Sequence, residues 1–180
     1  MSKVLVHASM SLDGYVAGPD VSLDHPMGVG GERLHEWMFT ERVDPADQAL
    51  IKAVHAETGA VVLGRRTFDV GLRHWEDVPY PVPSFVVTHE TRPDLPQKSG
   101  TFTFLAGVEE AVERAKAAAG EATVTLMGAD IQRQALAAGV VDEVLINLVP
   151  VLLGAGEKLF DGLPATTFTG PVTHVRLGTA

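Results

Sequence analysis

The sequence predicts an α/β fold of three layers, with a mostly parallel central sheet between helices and an antiparallel edge toward the carboxyl terminus. Three observations predict it. Short valine-rich runs alternate with segments whose apolar residues recur at helical spacing, the pattern of βαβ units. The strongest runs are apolar almost throughout, as strands covered on both faces are. The last runs follow one another with no helix between them, which calls for antiparallel pairing. No repeat, low-complexity tract or domain boundary interrupts residues 1–180, so one domain is expected.

Lys3 to Ala8 reads as the first strand, apolar apart from His7. Ser11-Leu12-Asp13-Gly14 and the stretch to Asp20 form a turning loop, and residues 19 to 31 stay loop-like. Leu34, Trp37 and Met38 recur at helical spacing. Asp44-Pro45 starts a helix, with Asp as cap and Pro in the first turn. Its apolar stripe is Ala46, Ala49, Leu50, Ala53 and Val54, and Gly59 ends it. A buried strand at 60 to 63 follows, then Gly64-Arg65-Arg66 and a short helix from about Thr67. Gly71 to Pro83, with three prolines, reads as a connection.

Ser84 to Thr88 and Thr101 to Leu105 are the next strands. Val108, Ala111, Val112 and Ala115 mark a helix closed by Gly120. Thr123 to Met127 is a strand, and Gly128 opens a helix holding Ile131, Ala135 and Leu136 and stopped at Gly139. Val144 to Val149 is a strand with Asn147 inside it, and Pro150 suggests a bulge or an edge. Leu153 to Glu157 is a glycine-rich loop, and Val172 to Leu177 reads as a last, more polar strand.

Composition excludes several classes of function. A formal net charge of -9 disfavours nucleic-acid binding. The acid is uneven, because basic and acidic residues balance between Gly64 and Lys98. The absence of cysteine excludes disulfides, thiolate catalysis and cysteine metal sites, and is compatible with a cytoplasmic location. No apolar run reaches membrane-spanning length, and the amino terminus reads as a strand rather than a signal peptide. The seven histidines lack ligand spacing, so no metal is expected, and His7, His35, His55 and His174 read as core or surface residues. Gly28-Val29-Gly30-Gly31 lacks the third glycine and the preceding strand of a dinucleotide fingerprint, and the loop at 153–157 lacks Walker spacing. There is no G-x-S-x-G elbow and no H-E-x-x-H.

What remains is a convergence of strand ends. Ala60 to Thr67, AVVLGRRT, reads as a strand, a turn and an anion cradle, or as a strand end with two solvated arginines. Thr88-His89 and Met127-Gly128-Ala129 also follow strands directly. In a parallel sheet these ends share one edge, where α/β folds bind ligands. Arg65, Arg66, Thr88 and His89 suit a ribose phosphate, and the turn at Gly128 suits a pyrophosphate. Asp13 lies beyond the first strand, either as a catalytic acid or as an Asx-turn acceptor.

SMSLDGYVAG, VVLGRRTFD, SFVVTHE and LMGADIQRQAL, in that order and spacing, resemble the dihydrofolate reductase superfamily. With VPVLLGAGEKLFDGL near the end, the chain is most similar to the reductase domain of bifunctional riboflavin-biosynthesis proteins and its stand-alone relatives. The resemblance implies a dihydrofolate reductase-like fold, a homodimer joined through the glycine-rich hairpin and last strands, and NADPH as hydride donor. It implies that Ala8 backbone meets the nicotinamide, that the loop from Val16 to Gly18 covers it, and that Gly64 ends the strand carrying Arg65, Arg66 and Thr67 to the phosphates. Thr88 and His89 then flank the 2′-phosphate, and Gly128, Ala129, Ile131 and Gln132 hold the pyrophosphate. The position where dihydrofolate reductases carry a pterin-binding carboxylate is Leu34 here, which argues against dihydrofolate as substrate. The Gly-Gly pair of the family, joined in dihydrofolate reductases by a cis peptide, is Met127-Gly128 here.

The expectation is an oxidoreductase passing a hydride from NADPH to a small heterocyclic or carbonyl substrate, pterin-like or riboflavin-precursor-like. Asp13, Glu32 and His35 are candidate proton donors, and Trp37, Trp75 and Leu148 are candidates to line the substrate space or to pack the core. A non-catalytic, nucleotide-binding regulatory dimer and a flavin-binding variant of the fold are the alternatives.

Overall fold

A computed structural model describes residues 2–39 and 43–178. Strand β1, Val4–Ser11, and the short β2, Tyr15–Ala17, lead through a long loop and a 3-10 turn to α1, Glu36–Phe39. Helix α2, Pro45–Glu57, starts as its sequence dictates: Asp44 caps it by accepting a hydrogen bond from the Ala46 N–H at 2.8 Å, with Pro45 in the first turn. Then come β3, Thr58–Gly64; α3, Arg65–Trp75; β4, Ser84–Val87; β5, Leu95–Pro96; and β6, Thr101–Leu105. Helix α4, Val108–Ala119; β7, Thr123–Met127; α5, Ala129–Ala137; β8, Glu143–Val149; and β9, Glu157–Lys158, complete the order.

The main sheet has seven strands in the order β5-β6-β4-β3-β7-β1-β8. All neighbours are parallel except β5, which runs antiparallel to β6 at one edge. The antiparallel pairing toward the carboxyl terminus is β9 with β2, a separate two-stranded sheet. Pro150 follows β8, which is the other edge of the main sheet, where a missing N–H breaks no ladder.

Each face of the sheet buries its own cluster. One packs Val6, Val62 and Leu126 against Ala111, Ala115 and Ile131 of α4 and α5. The other packs Val61, Leu63 and Val86 against Phe68 of α3. Phe68 meets the rings of Phe102 and Phe104 edge to face at 5.0 and 5.2 Å. Strands sandwiched this way must be apolar on both sides, which is why the valine-rich runs lack alternation.

Besides the short strands β2, β5 and β9, which form where the sequence predicts no strand, three elements differ from the sequence expectation. Helix α3 runs through Gly71 to Trp75 instead of stopping before it. The Trp75 ring lies over the space that a Gly71 side chain would fill, and that packing offsets glycine's poor helix propensity. β1 extends beyond Ala8 because Ser9 and Ser11 continue the ladder with β8. No strand forms at Val172 to Leu177, and residues 164–178 are irregular and exposed. Thr173, Val175 and Leu177 would share one face there, and among the described residues no strand pairs with the segment. Among the described residues no helix is long and apolar enough to cross a membrane.

Candidate functional site

Because β4, β3, β7 and β1 are adjacent and parallel, their carboxyl ends share one edge. Gly64 pairs with Val87, and Leu63 with Met127, so the two glycine turns stand side by side. Gly64 opens α3 and Gly128 opens α5, and no side chain caps either helix. The first intrahelical bond of α5 is Gln132 N–H to Gly128 O at 3.1 Å, which leaves the N–H groups of residues 129–131 without intrahelical partners. Two helix N-termini therefore present donors and positive dipole ends to one place.

That place is a cavity of about 1110 Å³. Gly64, Arg65, Arg66 and Thr67 line it from β3 and α3, and Thr88 and His89 from the end of β4. Gly128, Ala129, Ile131 and Gln132 line it from α5, Ala8 and Val16 from the amino-terminal strands, and His35 and Trp75 from farther along the wall. Gly128 has φ +91°, and a Cβ there would collide with Thr67 Oγ1, so only glycine lets these two turns approach. The Met127-Gly128 peptide is trans, as there is no cis bond among the described residues.

The arginines of the rim are already paired. Arg65 Nε lies 2.7 Å from Asp69 and its Nη1 2.5 Å from Glu90. Arg66 and Arg133 hold Glu157 of β9 between them at 3.0 and 3.4 Å, and Arg133 stands 3.9 Å from Asp130. Burial pushes the Glu157 carboxyl up, but hydrogen bonds and charge from Arg66 and Arg133 outweigh that and leave it below the usual range.

At the other end the wall is histidine-rich. His7 Nε2 lies 2.9 Å from Asn147 Nδ2, across from β1 to β8. Burial lowers the His7 pKa. His35 Nδ1 is buried with no hydrogen-bond partner among the described residues. Burial lowers its pKa, the Gly31 backbone opposes the shift, and nearby His7 adds to it. His35 also lines a smaller pocket of about 430 Å³ with Glu32 and Glu36, so it stands between the two spaces.

Five expected site residues lie outside the cavity lining, each for a physical reason. Asp13 accepts hydrogen bonds from the Leu153 and Gly154 N–H groups at 3.2 and 2.8 Å, which ties the β1–β2 loop to the glycine-rich loop. The Ser11 hydroxyl, then those N–H groups, hold its pKa down at about 2, the profile of a structural acceptor rather than a proton donor. Glu32 is exposed and faces only the smaller pocket. Gly18 is packed against the backbone of Gly28 and Val29, where it fixes the crossing of the long loop. The Trp37 indole N–H donates to Leu34 O at 2.9 Å and lies 3.3 Å from Ser9 Oγ. Leu148 is 43% exposed, near the end of the edge strand β8.

Gln132 lines the cavity, but its side chain is spent on the sheet: Nε2 donates to His7 O at 3.1 Å and Leu126 O at 3.0 Å. It anchors α5 to the sheet. Leu34 is fully buried, with no room for a carboxylate. Sequence reasoning passed over His7, Asn147, Arg133 and Glu157. Its one usable signal was a polar residue inside each of two apolar strands, at His7 and at Asn147. Among the described residues no group of three or more His, Cys, Asp or Glu side chains is placed to hold a metal ion.

Residues 2–179 match the family model described as RibD C-terminal domain. No curated protein matches the chain. Among solved structures it is similar to a protein described as a riboflavin biosynthesis protein from Shewanella sp. PV-4, with 24% identity and a TM-score of 0.65 over 91% of this chain and 86% of that one. It is also similar to a dihydrofolate reductase from Enterococcus faecalis complexed with NADP(H) and RAB-propyl, with 15% identity, a TM-score of 0.53, and 87% and 76% covered. A pyrimidine reductase-like protein from Corynebacterium diphtheriae matches with 14% identity and a TM-score of 0.55 over 93% of this chain and 83% of that one. At these identities the likenesses show a shared dihydrofolate reductase-like fold.

Proposed function

The chain belongs to the RibD C-terminal domain family, and from that premise we propose that it is an NADPH-dependent reductase of a small heterocyclic or carbonyl substrate. One observation carries the reading: two uncapped helix N-termini on adjacent parallel strands open onto one cavity rimmed by arginines. The residues fit a dinucleotide, because the turn at Gly128 is a cradle that a Cβ would fill. The N–H groups at the start of α5, with Arg66, hold the pyrophosphate. Arg65, Thr88 and His89 hold the ribose phosphate. Ala8 and Val16 border the nicotinamide. The volume exceeds the roughly 300–1,000 Å³ of ordinary ligand pockets, which suits a coenzyme and a substrate together.

When bound, the nicotinamide supplies the hydride. The protein supplies orientation, a dry wall and a proton. His35 is the donor we favour: its Nδ1 lacks a partner in a buried wall, and a buried polar atom of that kind calls for one. A substrate heteroatom is that partner. His7, oriented by Asn147, hydrogen-bonds the same ligand from β1. Glu32, in the smaller pocket behind His35, returns the proton from solvent.

The reading is tested by mixing the protein with NADPH and a panel of oxidised pterins, flavin precursors and small carbonyl compounds, while following nicotinamide absorbance. Substrate-dependent oxidation is expected. NADPH binding without turnover on any of them would favour a non-catalytic nucleotide-binding module, a reading that Leu34 in place of the pterin-binding carboxylate supports. A yellow purified protein would favour the flavin-binding variant. We also propose a homodimer, supported by Leu148 on the free edge β8 and by Leu152 and Phe160 beyond it, all exposed. Light scattering is expected to give twice the chain mass.

A further inference from the structure

We infer that Glu90 governs how tightly the cavity holds a phosphate monoester on the adenosine ribose, and thereby sets the choice between phosphorylated and unphosphorylated dinucleotides. The inference rests on the coenzyme reading above. Gly64 pairs with Val87 at the end of β4, which brings Arg65 beside that strand end, and Arg65 is claimed from two sides. Asp69 lies one turn along the same helix, 2.7 Å from Nε, and Glu90 reaches Nη1 from the other wall at 2.5 Å. One guanidinium thus faces two carboxylates, and all three line the cavity with Thr88 and His89. The second arginine cluster differs, since Arg66 and Arg133 together face Glu157 and the more distant Asp130.

A phosphate monoester carries about −1.5 to −2 charges at neutral pH. To pair with Arg65 it must take the donors that Glu90 now occupies, and it meets the repulsion of that carboxylate as it does so. A ribose hydroxyl meets neither obstacle. Glu90 rather than Asp69 is the determinant because, whereas Asp69 holds Nε from within the same helix, Glu90 follows Thr88 and His89 directly in the chain. Its backbone N–H donates to Thr88 Oγ1 at 3.2 Å, which keeps the turn, and so the carboxylate, beside the expected phosphate position. Its side chain is 64% exposed, so it is displaceable, and the penalty is moderate rather than absolute.

The test uses nucleotide fragments that carry no nicotinamide. Adenosine 2′,5′-bisphosphate and adenosine 5′-monophosphate are titrated by calorimetry into the wild-type chain and into Glu90→Gln. The variant is expected to bind the bisphosphate about fivefold more tightly and the monophosphate within about twofold of wild type. The NADPH-to-NADH affinity ratio is expected to rise by the same factor. Glu90→Ala, which lacks any hydrogen-bonding group there, is expected to agree. Unchanged bisphosphate affinity in both variants, or equal tightening of both fragments, would overturn the inference and leave the coenzyme reading intact. Failure of the wild-type chain to bind either fragment or either coenzyme would overturn both.

Discussion

Asn147 Nδ2 lies 2.9 Å from His7 Nε2, joining two neighbouring strands at residues 140 positions apart in the chain. With the amide donating, His7 accepts at Nε2 and carries its proton on Nδ1. A donor held against Nε2 favours the neutral ring, so the contact acts in the same direction as burial, which lowers the His7 pKa. Asn147→Leu removes that donor at similar volume, so the His7 pKa is expected to rise toward 6.5, with about 1 kcal/mol of stability lost. An NMR titration of the imidazole and a denaturant melt check both. An unchanged pKa would mean that the pair does not set the protonation of His7.

The pH dependence of stability has a defined sign. Both His7 and His35 have folded pKa values below the ordinary 6.5. The unfolded chain therefore binds protons first as pH falls, and the native state loses stability. Stability is fully present above pH 6.5 and declines as the pH drops through the folded values. Thermal melts are expected to fall from pH 7.5 to 5.5. The slope is expected to be shallower in a His7→Gln, His35→Gln double variant, and an equal slope would remove these histidines from the account.

Much of the cavity edge was legible because its signals are local. A glycine directly after a buried run, at Gly64 and Gly128, is a statement about backbone approach, and both turns do meet. Thr88-His89 was legible for the same reason, as the end of a valine run. The rest depends on partners remote in sequence. Glu157 is 91 positions from Arg66, and nothing in LGAGEKLF announces that its carboxylate closes the arginine cluster. Asp13 reads like a catalytic acid beyond a strand, and only the fold reveals the two N–H groups from residues 153 and 154 that make it structural. The polar strand expected at 172–177 fails because period-2 pattern alone supplies no partner.

Replacing His35 tests the chemistry separately from binding. His35→Gln keeps a polar side chain but cannot carry an acidic proton. Turnover is expected to fall by about 10²-fold or more, while the NADPH dissociation constant stays the same. Wild-type turnover is expected to decline as pH rises through the His35 pKa, and that limb is expected to vanish in the variant. A variant that keeps the limb would assign the proton to another group.

The glycine turn offers a steric test with an internal control. Gly128→Ala puts a methyl group onto Thr67 Oγ1 at φ +91°. It is expected to cost about 1–3 kcal/mol in stability and to weaken NADPH strongly. Gly139 also has positive φ, +68°, but nothing lies within 4 Å of an added Cβ. Gly139→Ala is expected to cost about 1 kcal/mol and to leave coenzyme affinity unchanged. Melts and fluorescence titrations of the two variants separate backbone strain from damage to the cradle.

The central claim is that distant segments meet at one sheet edge to grip a phosphorylated dinucleotide. A crystal structure of the chain with NADPH tests it most directly. The account predicts the pyrophosphate against the N–H groups at 129–131 beside Arg66, the ribose phosphate between Arg65 and Thr88-His89, and the nicotinamide facing His35. A coenzyme bound elsewhere, or reversed so that the nicotinamide meets Arg65, would contradict it.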